Sequence, residues 1–285
     1  MAINLRQVNF TYNPHRKFNK NVYVLEDANL KIETNGEFIA VVGHTGSGKS
    51  TLIQLLNTLL LPTTGEVDID GKIIKNKGNK NLREIKRKIG LVFQFAEYQL
   101  FEETVIRDIE FGPKNFKVED YHKKSIEACK KVGLNESFFE KSPFRLSGGE
   151  MRKVAIAGIL ASDPDVLILD EPTVGLDPFT RSELIELLKE LNRSGKTIIV
   201  VTHDMEVVSQ LAERVIVVND TKIVYDGSKD ELFKNDSLLE KHSLDLPDIV
   251  KMLRKVKEQL GLDIDIYQYT VSDAYKEIAR ALGNE

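Results

Sequence analysis

GHTGSGKST, residues 43–51, lies between the apolar run FIAVV and LIQLLNTLL, a segment whose apolar residues recur at helical spacing. A buried strand that passes through a glycine-rich turn into a helix opens an α/β unit. Gly43 to Ser50 fits G-x-x-x-x-G-K-[ST] in the strand, turn and helix context that this pattern requires. Gly43, Gly46 and Gly48 let the backbone turn successive N–H groups toward one phosphate chain, and the helix dipole adds partial positive charge. Lys49 brings a point charge to the β- and γ-phosphates, and the Ser50 hydroxyl is placed to ligate Mg2+. A plain glycine turn would explain the glycines but not a lysine and a hydroxyl in register. The whole cradle, Gly43, His44, Thr45, Gly46, Ser47, Gly48, Lys49, Ser50 and Thr51, is therefore expected to bind a nucleotide.

Working outward, INLRQVNFTY, NVYVLEDANLKIE and EFIAVVG read as short strands, which predicts an antiparallel β-rich start. KIGLVFQ, VLILDEP and KTIIVVTHD are short continuous apolar runs of the kind a parallel strand covered on both faces carries. TVIRDIEFG and YHKKSIEACKKVG predict a helical insert, and RVIVVND with KIVYDG a hairpin-like pair. DPFTRSELIELLKELNRSG carries its own helix punctuation: Asp177 as N-cap, Pro178 at the first helical position and Gly195 just past the end. Strands alternating with helices imply a parallel sheet whose ligand lies outside the carboxyl ends of the strands. A boundary falls near Asp226–Gly227, beyond which Ser228 and Glu231 form a capping box. PDIVKMLRKVKEQLG and SDAYKEIARAL then read as amphipathic helices around DIDIYQY. The expected organisation is a main domain over residues 1–228 and a small extension over 229–285, too short for a large core of its own and so docked on the main domain or on a partner.

Bulk properties narrow the class. Hydrophobic residues at 41% against 29% charged suit a chain that buries a sizeable core. A net charge of −4 gives no overall pull toward nucleic acid or anionic lipid. Lys72, Lys75, Lys77, Lys80, Arg83, Lys86, Arg87 and Lys88 crowd one stretch, read as the solvated edge of a β-rich segment. The single cysteine, Cys129, excludes an intrachain disulfide and suits a reducing compartment. No apolar run approaches the ~18 residues of a membrane span and no signal pattern opens the chain, so a cytosolic protein is expected, with any membrane location supplied by partners.

Chemistry-bearing residues gather at strand ends. VLILDEP delivers Asp170, able to hold the shell of Mg2+, and Glu171, a candidate base for the attacking water. Two adjacent acids are often a solvated turn, but here a buried strand would bring them beside the phosphate loop. His203 ends IIVVTH and is a candidate to bond the γ-phosphate or hold the water; Gln94 ends LVFQ and could reach Mg2+ or water. Tyr12 is a candidate adenine stack, although packing would serve an aromatic there equally well. RLSGGEMRKVAIAG, residues 145–158, poses a separate question. Ser147 and Glu150 make a capping box that accounts for a helix start, yet Gly148 and Gly149 cost about 0.5–1 kcal/mol there unless something must approach the backbone closely. A bare helix N-terminus is an anion site. Since the chain already holds one phosphate cradle, the second is expected to serve a nucleotide held by another copy, two subunits facing head to tail around two ATP molecules.

GHTGSGKST, Gln94, LSGGE, VLILDEP, GLDP and His203, in that order, resemble the ATP-binding subunit of an ABC (ATP-binding cassette) transporter over residues 1 to about 228. The resemblance implies a P-loop NTPase fold with an antiparallel β subdomain, a parallel core sheet and a helical subdomain. It implies that ATP closes the dimer and hydrolysis opens it. It makes Glu171 the catalytic base, His203 the γ-phosphate switch, Gln94 the Mg2+-linked sensor, Tyr12 the adenine stack, and Asp177 of GLDP a contact across the dimer. Glu150 stands where many members have glutamine, a change of little consequence if backbone N–H groups do the binding. FQFAEYQLFEETVIRDIEFGPKNF, GEMRKVAIAGILASDPDVLILDEPTVGLDP and the helical tail are similar, more narrowly, to the energy-coupling factor (ECF) transporter ATPases. That similarity implies a second ATPase subunit, the same or a related chain, a transmembrane coupling protein and substrate-binding membrane components for vitamins or transition-metal ions. It places the chain peripherally on the cytoplasmic face of the cell membrane. AEYQLFEETV, with Phe95, Tyr98, Leu100 and Phe101, would meet the coupling protein, and the tail would add a dimer contact.

Other classes fit less well. A DNA-repair ATPase of this type would carry a long heptad insertion between the phosphate loop and LSGG, a translation factor would carry two cassettes, and neither is present, so no nucleic acid is expected. A decayed, non-catalytic subunit would have lost Lys49, Glu171 or His203, and all three remain. The alternative is the ATPase of a conventional importer with paired transmembrane domains and a binding protein.

Overall fold

A computed structural model describes residues 1–13, 22–79 and 81–283; Asn21, Lys80 and the last two residues of the extension lie outside these. Ala2–Phe10 (β1) and Leu25–Glu33 (β2) pair antiparallel, and their side chains alternate between buried and exposed as strands with one wet face do. Phe38–Val42 (β3) departs from the predicted antiparallel start. It is buried at every position and pairs parallel with strands far along the chain, because apolar residues on both of its faces suit a strand covered on both sides. Lys49–Leu56 (α1) follows the phosphate loop. Thr64–Ile69 (β4) and Lys72–Ile74 (β5) complete a four-stranded antiparallel sheet in the order β2-β1-β4-β5. Lys72 is thus on an edge strand as expected and Lys75 and Lys77 follow it in the connecting loop, but Arg83, Lys86, Arg87 and Lys88 lie on a helix, Leu82–Lys88 (α2).

Ile89–Val92 (β6) leads through a short 3-10 turn to Val105–Asn115 (α3), Tyr121–Lys131 (α4) and Gly148–Leu160 (α5), which pack together as a helical layer. Val166–Asp170 (β7), Pro178–Arg193 (α6), Thr197–Val201 (β8), Met205–Leu211 (α7), Arg214–Asn219 (β9) and Lys222–Ser228 (β10) finish the core. The six-stranded sheet runs β10-β9-β3-β8-β7-β6, all neighbours parallel except the β9–β10 hairpin. The period-2 alternation of strands divides the core in two. Phe38, Ala40, Val42, Leu167, Leu169, Ile198 and Val200 join the cluster under the helices, while Ile39, Val41, Val166, Ile168, Ile199 and Val201 pack toward α1 and the antiparallel sheet.

The extension comprises Lys229–Phe233 (α8), Asp236–Lys241 (α9), Asp248–Leu260 (α10) and Val271–Ala281 (α11). The Ser228–Glu231 box is half formed: Ser228 Oγ accepts from Glu231 N at 3.2 Å, while the Glu231 carboxylate lies against Tyr225. Leu232, Phe233, Leu239, Leu246 and Val250 join the main core, whereas Leu253, Ile264 and Ala274 centre a separate small cluster. The segment is therefore docked on the main domain by its first half and closes on itself by its second.

Cys129 is fully buried in α4, and burial pushes its thiol up to about 11. The expected result is no maleimide labelling at pH 8 until denaturant opens the helical layer, since the thiolate is the reactive form. Rapid labelling of the native protein would mean that this layer opens on its own.

Candidate active site

Sheet order brings the functional strand ends together. The neighbours β3, β8, β7 and β6 lead respectively into the phosphate loop, His203, Asp170–Glu171 and Gln94. Strands lie about 4.8 Å apart, so four adjacent carboxyl ends span roughly 15 Å, the length of a nucleotide triphosphate. The register is close, with Val41 and Asp170 both opposite Val201.

The phosphate loop is shaped for backbone donors. Gly43 and Gly48 have φ of +145° and +110°, and a Cβ on them would lie 2.0 Å from the Val218 carbonyl oxygen and 2.6 Å from that of Val24. Glycine is needed at both for conformation and for space. Gly48 caps α1 with no side-chain bond, which leaves the first N–H groups of the helix bare. Lys49 Nζ donates to the carbonyl oxygens of Gly43 (2.8 Å) and His44 (2.9 Å). Burial lowers the pKa of this ammonium, and the nearby Glu171 and Asp170 carboxylates oppose that. Ser47 Oγ is buried without a hydrogen-bond partner, whereas Thr45 and Gly46 face solvent and His44 Nδ1 bonds the Thr45 carbonyl oxygen at 2.8 Å. Tyr12 is 57% exposed, its ring edge-on to Phe10 and its hydroxyl 3.2 Å from Thr51 Oγ1. The Thr51 contact sets this exposed ring at the end of the cradle.

Asp170 is buried, and desolvation raises its pKa, helped by repulsion from Glu171 and opposed by the Ser50 hydroxyl that donates to it. Glu171 sits at φ +46°, a left-handed position costly for a non-glycine residue, and its N–H donates to the Val201 carbonyl oxygen at 2.9 Å. Glu171 Oε1 accepts from His203 Nδ1 at 2.9 Å, while Oε2 is buried and has no partner. Gln94 and Asp170 line one open recess with Phe93, Phe95, Tyr98 and Gln99. Ser50 thus bonds Asp170 and His203 bonds Glu171, while Gln94 lines the same recess as Asp170.

LSGG lies elsewhere in the fold, against α6. The Ser147–Glu150 capping box is complete: Ser147 Oγ accepts from Glu150 N (3.3 Å), and Ser147 N donates to Glu150 Oε2 (2.8 Å). A Cβ at Gly148 would meet nothing within 4 Å, but one at Gly149 would lie 3.1 Å from Thr180 Cγ2. Gly149 thus has a packing reason inside its own chain, and Gly148 has none. Asp177 caps α6, its Oδ1 accepting from Phe179 N and Thr180 N and its Oδ2 from Thr180 Oγ1 at 2.6 Å. Those bonds hold the Asp177 carboxyl below its usual range, the Thr180 hydroxyl being the largest cause.

Sequence reasoning missed Arg152, one helical turn beyond the signature glycines. Its guanidinium donates to the carbonyl oxygens of Pro172 (2.7 Å), Val174 (2.9 Å) and Gln94 (3.3 Å). A basic residue at i+4 from Gly148 carries no signal of partners so distant in sequence.

The two sheets, the helical layer and the strand-end groups define a P-loop ATPase of the cassette type. The profile of the ABC transporter family matches residues 25–174. The energy-coupling factor transporter ATP-binding protein EcfA2 of Clostridium perfringens is 45% identical over 288 residues, covering 100% of this chain and 99% of that one. A protein of the same description from Streptococcus pyogenes serotype M28 is 46% identical, covering 98% and 99%. Among solved structures, cbiO1 from Clostridium perfringens, described as part of the ABC transporter complex cbiONQ, aligns with a TM-score of 0.71 at 34% identity, over 91% of this chain and 95% of that one. The cassette MJ0796, a dimer in a post-hydrolysis state bound to ADP and Pi, aligns at 0.69 with 33% identity, over 79% and 98%. The chain belongs to the ABC transporter ATP-binding family, within its energy-coupling factor branch. It is an ATP-binding and ATP-hydrolysing subunit of a transporter of that type, and the conventional-importer alternative is not favoured. Among the described residues no helix is long and apolar enough to cross a membrane.

Proposed function

We propose that the strand-end groups hydrolyse ATP clamped between the phosphate loop of this chain and the LSGG segment of a second ATPase subunit. The observation that carries this is the geometry of Glu171: one oxygen held by His203 and the other buried, unpartnered and beside the end of the phosphate loop's own sheet. Lys49, now on its own loop's carbonyls, would exchange them for β- and γ-phosphate oxygens, a change favoured because the buried ammonium would trade neutral acceptors for charged ones. Tyr12 stacks on adenine. Glu171 Oε2 takes a proton from the attacking water as the water meets the γ-phosphorus in line with the departing ADP oxygen, and His203 orients Glu171 and senses the γ-phosphate. Ser50, Gln94 and Asp170 would hold Mg2+; their oxygen donors suit that ion, and the desolvated Asp170 is a carboxylate that a dication would relieve. Bound there, Mg2+ would neutralise charge on the β- and γ-phosphate oxygens. Ser147, Gly148, Gly149 and Glu150 complete the partner's site, and Asp177 communicates across the dimer.

Arg152 ties the signature helix to the loops that follow β6 and β7, so it would transmit closure to Gln94 and Glu171. Arg152→Ala is expected to lower hydrolysis several-fold, and an unchanged rate in a variant of normal melting temperature would leave those bonds without a catalytic consequence.

Phe95, Tyr98, Phe101 and Phe111 are exposed, with ring contacts Phe95–Tyr98 at 5.7 Å and Phe101–Phe111 at 4.6 Å, while Leu100 is buried beneath them. This aromatic surface would take the cytoplasmic helices of a transmembrane coupling protein, holding the chain peripherally on the cytoplasmic face of the cell membrane. Substrate-binding membrane components for vitamins or transition-metal ions would complete the transporter, and residues 229–285 would add a dimer contact. Tagging this chain, solubilising membranes in mild detergent and identifying what co-purifies tests the reading. One coupling protein with several small membrane proteins and a second ATPase is expected; a dedicated pair of transmembrane domains would overturn it.

A further inference from the structure

We propose that Glu206 is a positioning residue for ATP hydrolysis, by which the C-terminal extension holds α7 and, through α7, sets His203; this rests on the reading of His203 given above. α7 begins two residues past His203, so that histidine is held between the end of β8 and the start of α7. Its N-cap Asp204 accepts from Glu206 N (3.0 Å) and Val207 N (3.3 Å), and is bonded by Arg181 of α6 at 2.6 Å. Seven residues make too short a helix to hold its own orientation, so tertiary contacts must do so.

The extension supplies contacts at both ends of α7. Near the start, the Glu206 carboxylate accepts from the backbone N–H of Asp248, the first residue of α10. α10 has Pro247 at its N-cap and no side-chain cap of its own, so Glu206 serves as a cap donated from another element. Near the end of α7, Lys229 Nζ donates to the Ser209 carbonyl oxygen, one of the last-turn acceptors, where a cation also suits the helix dipole. Lys229 is the first residue of α8 and lies under the Tyr269 ring, 4.6 Å from its centroid. The Tyr269 hydroxyl donates to Asp230 Oδ1 at 2.6 Å, and its ring packs on Phe233 at 5.8 Å. Val250 and Leu253 of α10 are fully buried, so the extension is a fixed support. A movement of α10 must therefore move α7 or break the Glu206 bond, and a movement of His203 on meeting the γ-phosphate must be borne by the extension.

The test compares Glu206→Ala, Glu206→Gln, His203→Ala and the Glu206→Ala/His203→Ala double variant, each in the membrane complex recovered through a tag on this chain. Glutamine keeps an acceptor oxygen and alanine does not. The expected result is that Glu206→Ala lowers kcat about 3- to 30-fold with little change in KM for ATP. Glu206→Gln should restore most of the loss, and Glu206→Ala should add nothing once His203 is alanine. Wild-type kcat in Glu206→Ala, with His203→Ala impaired, would overturn the inference while leaving His203 its role. So would an independent further loss in the double variant. Wild-type kcat in His203→Ala would overturn both.

Discussion

Glu171→Gln is expected to keep ATP bound while lowering steady-state hydrolysis by about 10²- to 10⁴-fold, the usual worth of a positioned base. The physical grounds are specific to this carboxylate. The backbone at Glu171 is left-handed, His203 occupies Oε1, and Oε2 is left buried with no donor. A buried oxygen without a partner costs about 1–3 kcal/mol, a penalty that a water bonded there would remove. Glutamine preserves the shape and one acceptor but cannot accept the water's proton. Because the contacts expected to hold ATP lie on the phosphate loop and Tyr12, nucleotide affinity should change little, and the variant should accumulate as an ATP-bound closed dimer in size-exclusion chromatography. Steady-state hydrolysis equal to wild type would remove Glu171 from the role of base.

Gly148→Asp is expected to abolish ATP-driven closure and to reduce hydrolysis by on the order of 10²-fold or more, with single-subunit nucleotide binding intact. Gly149 would be the poorer choice: a side chain there presses on Thr180, whose hydroxyl holds the Asp177 carboxylate, so loss of activity would have two causes. At Gly148 the added Cβ meets open space, and the new carboxylate acts by charge alone. It would face an incoming γ-phosphate at a helix start where bare N–H groups otherwise favour an anion. Two unit charges 4 Å apart repel by about 4 kcal/mol at an effective dielectric constant near 20, which exceeds a hundred-fold effect. Fluorescent-nucleotide titration together with the hydrolysis rate separates binding from closure. A variant that hydrolyses ATP normally would argue against a site shared between subunits.

Local chemistry made much of this legible beforehand. Gly43 to Thr51 could be read because a strand, a glycine turn, a lysine and a hydroxyl in register are consecutive, and Asp177, Pro178 and Gly195 marked both ends of α6 for the same reason. The apolar runs ending in Asp170, Gln94 and His203 showed strands buried on both faces. EFIAVVG was assigned to the wrong sheet, since a run of five residues carries no record of its partner strand. The helix α2 was hidden in a basic run whose lone buried residue, Ile85, leaves almost no apolar period.

By itself, then, the sequence determined the element types outside α2, the phosphate cradle, the acids and histidine at strand ends and the capped LSGG helix, all properties of residues within a few positions of one another. Only the tertiary structure decided the order β3-β8-β7-β6, which sets the four strand ends side by side, the packing reason for Gly149, and the reach of Arg152 to three distant carbonyls. It alone joined Glu206 to the start of α10. Hydrogen bonds between residues 20 to 60 positions apart leave no periodicity in the chain, because what selects them is the packing of whole elements against a common core.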